Sequence, residues 1–194
     1  MLKTTIQKLR ERISAKEIIR EQTVADAYRI LRSLLETDLA NPVYKAIHER
    51  IEKAREAWTT RNIDTTLFIK ILSESIEEKI KYDEKIADKP IIERIAETIN
   101  LLINQQFANK KELTFKLTEL RKTLPEAIKA AKIVTYHENT LRTALMKDLF
   151  KEMKKEKRDI TKLLLELKNF AEIVTKEYII EEIEKARRTG GIAA

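Results

Sequence analysis

Cysteine is absent from this chain of 194 residues, which also has only 2 glycines, 3 prolines and 2 histidines. Each scarcity excludes something. Without cysteine there is neither a disulfide framework nor a thiolate metal site, and a reducing compartment is the natural setting. A β-rich chain of this length needs turn residues at every reversal, far more glycine and proline than this one carries. A phosphate-binding P-loop needs two spaced glycines ahead of a lysine, so that backbone amides can wrap the phosphates. The two glycines here, Gly190 and Gly191, are adjacent. A ferritin-like two-metal bundle needs Glu-x-x-His, but Lys45 and Val134 stand three residues before His48 and His137. No apolar run approaches the roughly 20 residues of a membrane-spanning helix. The start, Met1-Leu2-Lys3-Thr4-Thr5, lacks the apolar core of an export signal. The expectation is a soluble cytoplasmic protein.

Charge and helical periodicity are abundant instead. Apolar residues are 43% and charged residues 37% of the chain. That balance suits helices with a narrow core stripe and broad solvated faces. Helix starts recur. Thr4-x-x-Gln7 resembles a capping box, Ser14-x-x-Glu17 reads as a restart of its helix, and Thr23-x-x-Asp26 is a third start. The third would open a helix with Ala27, Ile30, Leu31, Leu34 and Leu35 inward. Asn41-Pro42 pairs a capping side chain with a proline at the first helical position, where a missing N–H costs nothing. Its helix should reach about Thr60, with Val43, Ile47, Ile51, Ala54 and Trp58 inward. Asp64 caps the next, with Ile63 and Phe68 spaced as a hydrophobic staple, and that helix should reach Ile86. Asp88-Lys89-Pro90 opens another through Ile91, Ile92, Ile95, Ile99, Leu102 and Ile103. Asn109-x-x-Glu112, Thr123-x-x-Glu126 (with Pro125 in its first turn) and Thr135-x-x-Glu138 mark three more. The last runs from Asp159 to about Arg188, where Thr189-Gly190-Gly191 stops it, leaving the tail Ile192-Ala193-Ala194. The sequence therefore predicts an all-α, irregular bundle of eight or nine helices. It predicts a single helical domain over 1–194, with a weak sub-boundary near 87–90 that would divide it into two packed sub-bundles.

No residue set converges on catalysis, a cofactor or a metal. His48-x-x-x-Glu52 lies on one helix face, but two ligands without a third are not a site. A histidine beside a charge is the simpler reading. Glu166-Leu167-Lys168 after Asp159 imitates a nuclease triplet, yet it falls in a predicted helix in a chain rich in Glu and Lys. Glu77-Glu78 and Glu181-Glu182 read as solvated helix faces, since adjacent helical positions point about 100° apart. Trp58, the only tryptophan, is read as core packing against the next helix. Tyr44 is read as packing too, with a partner contact as the alternative.

The formal net charge is +7. The clearest basic run is Lys147, Lys151, Lys154, Lys155, Lys157 and Arg158, with Asp148, Glu152 and Glu156 interspersed. Lys147, Lys151, Lys154 and Arg158 recur at helical spacing, so the run could track phosphates as a weak, non-specific DNA contact. The competing reading is an ordinary solvated face with Glu–Lys pairs. No aromatic residues interleave with it as a single-strand platform would require.

One stretch is more specific. Asn41-Pro42-Val43-Tyr44, then Ile47-His48-Glu49-Arg50-Ile51-Glu52, Trp58 and Arg61-Asn62-Ile63-Asp64-Thr65 follow one another in order. This pattern resembles the C-terminal helical region of the motor (restriction) subunit of type I restriction enzymes. The matching positions are Asn41, Pro42, Tyr44, Glu49, Arg50, Glu52, Trp58 and Asp64. The likeness extends more loosely from Thr23 to about Met153, where Tyr136-His137-Glu138-Asn139 stands in for a Trp-led helix start. The resemblance implies a helical, non-catalytic region that couples the motor subunit to the methyltransferase and specificity subunits, in a complex that is an ATP-dependent deoxyribonuclease. The nuclease and helicase domains that precede this region in the family are not in these residues, so the expectation is an excised or separately encoded domain. Two other readings stay open: a free-standing basic helical nucleic-acid-binding protein, and a structural helical adaptor.

Overall fold

A computed structural model describes residues 21–108 and 113–188. The starts at Thr4 and Ser14, the cap at Asn109, the Thr189-Gly190-Gly191 stop and the tail lie outside the described residues. Among those residues the regular secondary structure is all α, with seven helices and no strand. The count is lower than eight or nine because two of the expected starts fall outside the described residues, and residues 113–117, downstream of the third at Asn109, are extended. The chain divides into two compact units between Lys85 and Ile86.

The first unit is built from α1 (Glu21–Glu36), α2 (Pro42–Thr59) and α3 (Thr65–Ile86). Helix α1 already includes Glu21, upstream of Thr23, so Thr23 lies inside the helix and is not its cap. Its buried stripe is Val24, Ala27, Tyr28, Leu31 and Leu35, while Ile30 is 37% exposed. The tyrosine takes the inward place because its hydroxyl finds a carboxylate, Glu52, on α2. Asn41 caps α2 as its sequence predicts: Oδ1 accepts from the amides of Val43 (3.0 Å) and Tyr44 (3.4 Å). Val43, Ile47, Ile51 and Ala54 are buried. Asp64 begins α3, accepting from the Leu67 amide at 2.7 Å. Phe68, Leu72, Ile76 and Tyr82 carry the buried face of that helix.

The second unit contains α4 (Ile91–Phe107), α5 (Thr118–Lys129), α6 (Thr135–Lys155) and α7. Helix α7 is continuous: Ile160–Val174, a π turn over Thr175–Ile179, and Ile180–Arg188. Its start is as predicted, with Asp159 accepting from the amides of Thr161 (3.1 Å) and Lys162 (3.4 Å). In the π turn the Ile180 amide reaches back five residues to the Thr175 carbonyl. This places Tyr178 in the core, where its hydroxyl donates to Thr98 Oγ1 at 2.8 Å.

Between α4 and α5 the sequence reading fails. Residues 113–117 are extended, not helical. Leu113, Phe115 and Leu117 point inward, and Thr114 and Lys116 outward, the alternation of a strand. Helix α5 starts at Thr118, so Thr123 and Pro125 lie inside it. Thr123 does not cap; its hydroxyl donates to the Glu119 carbonyl at 2.8 Å. Pro125 removes one ladder bond, and burial of Leu120, Leu124 and Ala127 offsets the loss. Helix α6 begins one residue early, at Thr135, after Val134, which has no capping side chain; His137 Nδ1 instead accepts from the Val134 amide at 3.4 Å.

Candidate functional site

The residues that resemble the restriction subunit cluster in the first unit, where they shape the α2–α3 pair. Asn41 does double work: its Oδ1 caps α2, and its Nδ2 donates to the Tyr82 hydroxyl at 2.8 Å. Pro42 occupies the first helical position. The Tyr44 hydroxyl donates to Asp83 at 2.6 Å, and the same carboxylate takes Lys79 Nζ at 2.6 Å. That ammonium is almost fully buried and lies 4.6 Å from the centre of the Tyr44 ring. Burial, reinforced by the bond to Asp83, holds the Tyr44 phenol well above its usual range. Arg50 pairs with Glu78 at 2.7 Å, and Glu49 is exposed.

Glu52 joins α2 to α1. It accepts from the Tyr28 hydroxyl and lies 3.3 Å from Arg32, which also reaches Glu36 at 2.9 Å. Burial first, then the bond to Glu52, raises the Tyr28 phenol above its ordinary value. His48 sits among these carboxylates, with Nε2 3.7 Å from Glu36 and 3.9 Å from Glu52. Among the described residues no group of three or more histidine or carboxylate side chains is arranged to hold a metal ion.

Trp58 departs from its expected place in the core. It is half-buried and lines a surface cleft of about 590 Å³ with Thr59, Arg61, Asn62, Ile63, Asp64 and Thr65. One side of the indole stacks on buried Phe68, with ring centres 4.7 Å apart and planes 15° from parallel. Its Nε1 donates to Thr65 Oγ1 at 3.2 Å. The spacing Ile47, Ile51, Ala54, Trp58 signals the inward direction correctly. It does not show that α2 ends one residue later, leaving the ring at the rim.

The basic run lies in the second unit. Lys147, Lys151, Lys154 and Lys155 are exposed on α6. Helical spacing puts the first three within an arc of about 60°. Lys155 is paired with Glu152 at 2.6 Å, and no described carboxylate pairs with Lys147, Lys151 or Lys154. Two of the six do not share that face. Helix α6 ends at Lys155, Lys157 follows at φ 55°, and Arg158 turns inward to donate to the Phe107 carbonyl at 3.2 Å. Asp148, which the sequence places among solvated charges, is 2% exposed. Its two oxygens accept from the amides of Glu119 (3.1 Å) and Leu120 (2.9 Å), capping α5 from another helix. No local pattern signals this, because donor and acceptor are 28–29 residues apart. Glu182 is also buried, beside Lys185 at 3.7 Å, and not a solvated partner of Glu181. Glu166 and Lys168 of the nuclease-like triplet are exposed on α7 while Leu167 is buried.

Over 180 residues, 90% of its length, the chain is 31% identical to a protein of Methanocaldococcus jannaschii described as "Putative type I restriction enzyme MjaVIIP endonuclease subunit". The matched stretch is 16% of that relative, so the chain spans about a sixth of its length. No family profile and no solved structure matches the chain. No described helix is long and apolar enough to cross a membrane. The chain is thus a distant homologue of one part of a much longer protein of that description.

Proposed function

We propose that this chain is a non-catalytic helical docking domain of a type I restriction subunit, linking the motor and nuclease parts to the methyltransferase–specificity core. The observation that carries the reading is the 31% identity over 90% of the chain to a subunit of that description. The resembling residues support it, since Asn41, Tyr44, Glu52 and Trp58 all join one helix to another in the first unit. The surface supports it as well. Leu165 and Ile173, two turns apart on α7, are 69% and 53% exposed, and Tyr136 on α6 is 64% exposed. On the docking reading these are apolar side chains that a partner would cover. On this reading ATP hydrolysis and DNA cleavage belong to other parts of the subunit, and the partners are the methyltransferase and specificity subunits.

The test is capture of a purified methyltransferase–specificity core by the chain, beside a Leu165→Glu/Ile173→Glu variant. Capture by the native chain that the variant loses is the expected result. No capture by either overturns the docking role. The second reading, a free-standing nucleic-acid-binding protein, is favoured by the three lysines of α6 that no described carboxylate pairs with. It gains first place if the chain ignores the core and binds duplex DNA tightly. The third reading, a structural adaptor without restriction partners, rests on the all-helical surface alone.

A further inference from the structure

We propose that the cleft at the α2–α3 turn seats one nucleotide of a single-stranded nucleic acid, with the base against the Trp58 ring and the phosphate at the Arg61 guanidinium. The platform is built before any ligand arrives. Phe68 backs the indole in parallel at 4.7 Å, and the Nε1–Thr65 bond fixes its rotation. A ring held in this way loses little freedom when a base covers it. Stacking on an aromatic face is the sequence-tolerant way that proteins hold unpaired bases.

Arg61 supplies the charge. It is exposed, at φ 59°, in the left-handed region that glycine or asparagine adopts more easily. Its amide is tied to the Trp58 carbonyl at 3.0 Å, so the turn fixes the backbone from which both residues line the cleft. Arg29, Arg32, Arg50, Arg121 and Arg187 all meet carboxylates. No described carboxylate meets Arg61, and Asp64, across the cleft, has Oδ1 committed to the Leu67 amide. Asn62 Nδ2 is engaged with Thr60 at 3.0 Å, which leaves its carbonyl oxygen to accept from a base edge. The volume, about 590 Å³, is within the usual range of ligand clefts. The cleft lies open at the surface, so the strand on either side of the seated nucleotide has a way out. A duplex does not fit this role, because its bases are already stacked on their neighbours. The proposal concerns a different surface from the α6 lysines and does not rest on the docking role.

Trp58 is the chain's only tryptophan, so its fluorescence reports on this cleft directly. The experiment titrates the full chain with oligothymidylate at two salt concentrations, beside a duplex of equal length and beside free thymidine monophosphate. The expected result is saturable quenching by the single strand, weakening with salt by a slope of about 0.7 per phosphate contacted. Quenching by the duplex should be much smaller. The free nucleotide should act only at far higher concentration, having one phosphate and no neighbours. Arg61→Gln should weaken binding and lower the salt slope by about 0.7, and Arg61→Lys should restore both. With labelled oligothymidylate, Trp58→Ala should lose roughly 5- to 150-fold in affinity, and Trp58→Phe, which keeps a ring on Phe68, much less. Circular dichroism confirms that each variant is folded. No quenching by oligothymidylate, or equal quenching by duplex, or an unchanged Arg61→Gln, overturns the proposal.

Discussion

The side-chain amide of Asn100 makes both main-chain hydrogen bonds of Phe115. The Phe115 amide donates to Asn100 Oδ1 at 2.7 Å, and Asn100 Nδ2 donates to the Phe115 carbonyl at 2.9 Å. One turn further along α4, Asn104 does the same for Leu113, at 2.6 Å in both directions. Two asparagines four residues apart thus serve an extended segment as a neighbouring strand would. Buried main-chain groups must be paired somewhere, and here a helix face pairs them, which lets Leu113 and Phe115 enter the core.

Asn100→Ala should therefore destabilise the protein. It leaves an amide and a carbonyl of a buried residue unpaired, at about 1–3 kcal/mol for each such group. A loss of about 2 kcal/mol or more is expected in urea denaturation. Asn100→Asp keeps the acceptor but not the donor and should also destabilise. A change within about 0.5 kcal/mol for Asn100→Ala, the range of ordinary surface substitutions, would mean that side-chain packing alone fixes the segment.

Asp148 and Lys151 neighbour each other on α6 and should behave oppositely. Asp148→Ala removes the cap of α5 and should cost about 1–2 kcal/mol. Lys151→Ala, on the exposed face, should stay within about 0.5 kcal/mol. Thermal unfolding of the two variants side by side checks this. Equal effects would show that the Asp148 cap contributes nothing.

Alkaline pH should test the first unit. The phenols of Tyr28 and Tyr44 are raised by burial and by their bonds to Glu52 and Asp83. In the unfolded chain both give up a proton near pH 10; in the folded chain they do so later. Above about pH 10 the unfolded state is the one that has lost protons, so it gains relative to the native state. The contribution is fully present below pH 10 and is lost as pH rises through the folded values. Phenolate absorbance should show the Tyr28 and Tyr44 phenols titrating late, and the late component should shrink in Tyr44→Phe. A late component unchanged in Tyr44→Phe would contradict the buried bond to Asp83.

The contrast between Asn41 and Asn100 shows what was legible. Asn41, Asp64 and Asp159 act on amides two or three residues away, so spacing reveals them, and the helices they open follow the sequence reading closely. Asn100 acts on Phe115, fifteen residues on, and Asp148 acts across helices, so neither leaves a local signature. Leu113-Thr114-Phe115-Lys116-Leu117 does carry one, a period of two. A reading led by the cap-like Asn109-x-x-Glu112 just before it passes over that pattern. Thr123-x-x-Glu126 misled for a related reason. A threonine inside a helix can bond back to the carbonyl four residues earlier, and Thr123 does so. The candidate surfaces were half legible: the lysines of α6 are exposed as their spacing implies, while the loss of Arg158 to the Phe107 carbonyl depends on the end of α6.

That loss sets the magnitude of any duplex binding. Six cations acting together would give log affinity a salt slope near five, at about 0.9 per phosphate. Lys155 is paired, Lys157 lies beyond the helix and Arg158 is turned inward. Lys147, Lys151 and Lys154 remain, which predicts a slope nearer three. With so few contacts the dissociation constant should fall at the weak end of the non-specific range, roughly 10⁻⁴ M at physiological salt. Lys147→Glu/Lys151→Glu/Lys154→Glu should abolish the binding, whereas Lys157→Glu should change it little. Duplex titrations of the chain and both variants at several salt concentrations measure this. A slope near five, or equal losses in the two variants, would show that all six cations reach the phosphates. Sequence-selective binding that survives raised salt would move the nucleic-acid reading ahead of docking.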